Sequence, residues 1–265
     1  MTIAAGWAFG EEETMFRRLL SSIGIGGAKA DTRLGAESFV PGERVRGEVY
    51  VTGGDEAQEF NRIYLSVVAN YKHEDSTHEH ALAHYEVMGE RFSVESNEER
   101  TIPFAFTLPH ATPLSLGHER VYLRTGLDVS GALDPSDTDE IRVVPHPLQQ
   151  AVLDAAENLG FRLYQAENEY DPRKGDPYPF IQQLEFRPQG RYAGHVEELE
   201  LVFKLGEDLL YVLVELDRRA RSLGGFLESA MELNERFDRL RVTPADVGSG
   251  AVEAMLAQLI DNHVR

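Results

Sequence analysis

The chain has 265 residues, 42% hydrophobic and 27% charged, enough for one large domain or two ordinary ones around a real core. Its 45 acidic residues exceed its 26 basic ones by 19, so its surface repels phosphate backbones and anionic lipid and favours cations or basic protein faces. The absence of cysteine excludes disulfides, thiolate nucleophiles, Cys-ligated zinc and iron–sulfur clusters.

Residues 1–14 show no periodicity and end in the acidic run Glu11–Glu13. They read as an extension, disordered or non-native, ahead of a natural start at Met15, and they lack the basic start and apolar core of a secretory signal. No window approaches the roughly 18 apolar residues of a membrane span. The expected location is cytoplasmic. From Met15, Phe16, Leu19, Leu20 and Ile23 share one face of a predicted helix beside Arg17 and Arg18, and Gly24, Gly26 and Gly27 end it. These four apolar residues are the candidate partner-binding set. Their face suits docking on the protein's own sandwich, a partner's groove, or weak contact with a membrane surface.

Strand signals follow. Pro41-Gly42 precedes the alternating Val45, Gly47, Val49 and Val51. Ile63, Leu65, Val67, Ala69 and Tyr71 then alternate on one face, with Ser66 and Asn70 expected to be partly exposed on the other. Three further segments, residues 80–95, 100–115 and 118–131, repeat the pattern at the spacing of an antiparallel sandwich, with Pro103 and Pro109 suited to edges or strand ends.

The stretch VVPHPLQQAVLDAAENLGF, residues 143–161, breaks this pattern. Leu148, Ala151, Val152, Ala155, Ala156 and Leu159 make one apolar helical stripe. Pro147 suits the first turn, and Gly160 the left-handed C-terminal position. Strands resume in four segments from Phe161 to about Arg221. The last carries apolar residues on both faces from Leu209 to Val214, as a central strand would. Residues 224–242 suggest a helix and then a strand around Phe237–Val242. A closing helix presents Val252, Met255, Leu256, Leu259 and Ile260. This order marks the 143–161 helix as a domain boundary, giving an N-terminal helix and sandwich over 15–144 and a linker helix, sandwich and terminal helix over 145–265.

Few residues suggest chemistry. His73, His78, His80 and His84 crowd one segment, and in a strand the last three would share a side, as chelation requires. Glu74, Asp75, Ser76 and Thr77 among them favour a solvated hairpin tip. The acidic run Leu133–Glu140 fails the calcium-loop pattern and reads as a turn begun by Asp134-Pro135. His146, between two prolines, has no nucleophile elbow near it. Gly24–Lys29 lacks phosphate-loop spacing and reads as a hinge, while Asp217–Arg221 is a local basic patch.

Long ordered stretches of the chain resemble the bacterial sporulation-control protein M family: MFRRLLSSIGIGGAKADTRL, VPGERVRGEVYVTGG, YKHED, TGLDVSGALDPSDTDEIRVVPHPLQQAVLDAAENLGFRL and LVELDRRARSLGGFL. The resemblance runs from Met15 onward. It implies a mainly β, arrestin-like architecture of two tandem antiparallel β-sandwiches. It also implies a non-enzymatic scaffold role in sporulation control or in cell division, cell shape or stress response. Expected partners are proteins, cytoskeletal or cell-division proteins among them, or a second copy in a homodimer. The resemblance supplies no catalytic residue, cofactor or metal ligand. The competing reading is a metal-binding module or metal-dependent enzyme using the His73–His84 cluster.

Overall fold

In the computed structural model of the chain, the described residues are 27–130, 134–218 and 238–264. Residues 1–14, the Phe16–Ile23 segment and the helix expected after Gly224 lie outside them.

Alternation builds the first half. Gly42 turns the chain at φ +86°, a left-handed conformation that suits glycine, and β3 (Arg44–Thr52) follows. Val45, Val49 and Val51 of β3 are buried while Arg44, Arg46 and Glu48 face water. β1 (Lys29–Leu34) and β7 (Glu99–Thr107) flank it antiparallel in a three-stranded sheet. Pro103 therefore sits on an edge strand, where its missing N–H costs no ladder bond. This sheet packs against β4 (Gln58–His73) and β8 (Val121–Val129) in one core that includes Phe60, Leu65, Phe104 and Leu123. Thr32 ties the layers together, with its hydroxyl 2.6 Å from that of Thr125 and its N–H donating to Asp137.

The larger sheet runs through both halves. Its remaining strands are β2 (Ser38–Phe39), β5 (Ser76–Met88), β6 (Phe92–Val94), β9 (Ser136–Val143), β10 (Phe161–Tyr170), β11 (Phe180–Pro188), β12 (Val196–Leu205), β13 (Leu210–Arg218) and β14 (Asp238–Val242). The order is β14-β13-β12-β11-β10-β4-β8-β9-β2, with β5 and β6 also paired to β4. A single parallel pair, Glu169 with Lys72, joins the halves within it.

The second half layers β10–β14 against two helices, α1 (Pro147–Asn158) and α2 (Ala251–Val264). Leu148, Val152 and Ala156 of α1 and Val252, Leu256 and Ile260 of α2 join Leu184, Leu199 and Val212 in a second core. The stripes read from the sequence are the buried faces. At the far end of α1, Gly160 takes φ +88° as expected.

Three local expectations are corrected. Ser66 is buried, with its hydroxyl hydrogen-bonded at 2.8 Å to His84, its cross-strand neighbour on β5. The acidic run is strand from Ser136, since β8 supplies it with an antiparallel partner. The stretch through β13 is internal to the sheet, next to its last strand, yet Tyr211 is 47% exposed, because among the described residues no second layer covers that face of the sheet there.

Candidate functional site

The histidine hairpin forms as β4 and β5, but its histidines divide. His78 pairs across from Tyr71, and His80 from Ala69, both on the core side of β4. A bulge between the Val68–Ala81 and Val67–Ala83 pairs inserts Leu82 as an extra residue, which reverses the alternation. His84 therefore pairs with Ser66 on the opposite face. The expectation that His78, His80 and His84 share a side is wrong for this reason, and the three cannot chelate one ion together. His73, His78 and His80 instead join an aromatic ladder. The His73 ring centroid lies 4.0 Å from that of Tyr170, Tyr71 stacks on His78 at 5.5 Å, and His80 meets Tyr178 at 5.6 Å.

His146 is a helix cap. Its Nδ1 accepts from the Leu148 N–H at 3.2 Å, and Gln149 Oε1 accepts from the His146 N–H at 2.9 Å. Burial lowers the His146 pKa, partly opposed by Glu43. A protonated ring cannot accept at Nδ1, so the cap's stability is present above the unfolded pKa near 6.5 and lost as pH falls through the depressed folded value. Urea unfolding of His146→Ala at pH 8 is expected to show a loss of about 0.5–2 kcal/mol, shrinking as the pH falls below the unfolded value of 6.5 and through the lower folded one; a loss unchanged at strongly acidic pH would contradict this role.

The halves meet along side-chain bonds. The Gln182 amide donates to the Leu114 carbonyl and accepts from its N–H, each at 2.8 Å. Asn168 donates to the Asn70 carbonyl at 2.8 Å, and Lys72 pairs with Glu167. Tyr178 and Phe180, from the second half, are buried in the first half's core. Beside them, residues 110–113 and the β11–β12 region border a cavity of about 340 Å3. Phe180, Val202, Phe203 and Tyr211 give it apolar walls, and Lys204 supplies a cation.

The outer face of the second sheet is acidic. Glu185 lies opposite Glu200, Glu200 opposite Glu215, and Glu198 opposite Asp217, on three adjacent strands. Carboxylate oxygens of Glu198, Glu200 and Asp217 all lie within 4.8 Å of one another. Burial, then the charges of Glu215 and Asp217, push the Glu200 pKa up to about 7. Burial and Asp137 likewise push Asp139 up to about 6, on β9.

Neither the cavity nor the acidic face was visible in the sequence. Each brings together residues of neighbouring strands whose register no local signal announces. The candidate residues Phe16, Leu19, Leu20 and Ile23 lie outside the described residues.

The fold and junction define a mainly β, arrestin-like protein of two joined halves. The chain belongs to the SpoOM protein family, whose pattern it matches over residues 16–220. It is 40% identical over 256 residues to the sporulation-control protein spo0M of Bacillus subtilis (strain 168), covering 94% of this chain and 99% of that protein. It is also similar to the crystal structure of Spo0M, sporulation control protein, from Bacillus subtilis. The TM-score is 0.80 at 36% identity, covering 90% of this chain and all of that one.

Proposed function

We propose that this protein is a non-enzymatic, cytoplasmic regulator of sporulation control that works by binding other proteins. Where the cell does not sporulate, the same activity serves division, shape or stress response. The carrying observation is the 40% identity to a sporulation-control protein along nearly the whole length of both chains. Among the described residues no helix is long and apolar enough to cross a membrane. The chain is read as two domains meeting at 144–145, which fits the presence of two separate apolar cores.

Phe16, Leu19, Leu20 and Ile23 form the partner-binding face in this reading, taking a protein groove or a second copy. The test replaces the Bacillus subtilis relative with this chain at its native locus and counts heat-resistant spores. Restored sporulation is expected for the natural sequence and a marked loss for Leu19→Asp. Failure of the natural sequence, expressed and folded, would refute the sporulation role. An unchanged count with Leu19→Asp would remove the N-terminal face from it.

A further inference from the structure

The strands β11 and β12 do not stay together. Their register runs only from Gln183–Val202 to Phe186–Leu199. β11 begins earlier, at Phe180, and that start is paired with β10 alone. β12 continues to Leu205, and that end is paired with β13 alone. The sheet therefore forks, and among the described residues no strand pairs with the edges of Phe180–Gln182 and Phe203–Leu205 inside the fork. Unpaired strand edges are templates for added chain.

The 340 Å3 cavity lies in this fork, at the small end of the ~300–1,000 Å3 usual for ligand clefts. Its walls are apolar, and Tyr211 stands 47% exposed at its mouth, a large apolar surface left in water. Lys204 is the cation inside. Its ammonium donates to the Asp176 carbonyl at 3.3 Å, a neutral oxygen, while the Asp176 and Asp171 carboxylates act on it only through space. Asp171 is already engaged, accepting from the N–H groups of Arg173 and Lys174. On a chain of net charge -19, an anion is repelled almost everywhere, so a half-buried lysine in an apolar cleft marks where one can be held.

We propose that the β11–β12 fork receives the apolar C-terminal end of a partner protein. The peptide's terminal carboxylate pairs with Lys204, its last side chain fills the space between Phe180, Val202 and Tyr211, and its backbone adds to the free edge of β12. Strand addition supplies affinity and carboxylate capture supplies direction. An internal peptide segment without Asp or Glu would leave the lysine without its anion. This proposal rests on the reading that the protein acts through protein contacts; peptide binding in vitro is scored apart from spore counts, so either can fail alone.

The probe is a set of N-acetylated hexapeptides ending in Leu, Val or Phe, each made as the free acid and as the C-terminal amide, and titrated into the full chain by NMR. Binding by at least one acid is expected, weakened about tenfold or more by amidation and by Lys204→Met, retained by Lys204→Arg, and lost with Tyr211→Asp. If Lys204→Met does not fold, acid against amide on the natural chain decides alone. No binding at ~1 mM, equal binding of acid and amide, or full binding to folded Lys204→Met would overturn the proposal. So would binding of octanoate with no binding of the peptides, which would indicate a small-molecule carboxylate site.

Discussion

Phe180→Ala is expected to lower the free energy of unfolding by about 3–5 kcal/mol, read from urea denaturation. The ring is 3% exposed and belongs to the first half's core although its strand, β11, lies in the second. It stacks on Tyr71 at 5.2 Å and on Tyr178 at 5.8 Å, and meets His80 edge-on at 6.2 Å. Truncation leaves a void lined on both sides of the junction, and neither half can collapse into it without moving against the other. The Gln182–Leu114 bonds hold the adjacent backbone in place, which limits relaxation further. Amide exchange is therefore expected to quicken in β4 and in β11 together. A loss below ~1 kcal/mol, or exchange changing in one half only, would show that Phe180 does not couple the halves.

Glu200→Gln is expected to stabilise the protein at pH 8. Glu200 faces Glu185 and Glu215 directly across the sheet, and burial together with those charges raises its folded pKa from 4.5 to about 7. A carboxyl whose folded pKa is raised contributes stability fully present below the unfolded value, which is lost as pH rises through the folded one. The natural protein therefore gives up stability between pH 4.5 and about 7. The amide keeps the contact with Gln183 and removes the charge. After discounting for partial exposure, the gain at pH 8 is about 1–2 kcal/mol, shrinking towards zero by pH ~4.5. Thermal melts at the two pH values measure it. A loss at pH 8 would mean that the charge is compensated, by a bound cation or a basic segment over this face.

Much of the architecture was legible in the chain. Val45, Val49 and Val51 alternate because one side of β3 meets the core and the other meets water. The α1 stripe with Pro147 and Gly160 at its ends predicts both a helix and its limits, and that stripe packs into the second apolar core. His146 shows where such reading stops. Its place before Pro147 is evident, yet that its ring is the cap follows only from the Leu148 N–H pointing at Nδ1.

The sequence by itself determined the mainly β class, the position of α1, the buried faces of the helices and the family, because these rest on short-range periodicity, capping and long ordered motifs. Tertiary structure alone decided the face of His84, the row of opposed carboxylates and the fork beside Lys204. A bulge, a register and a divergence of strands are properties of pairing between distant segments. One inserted residue reverses every side chain beyond it while leaving the local pattern of apolar and polar residues almost unchanged.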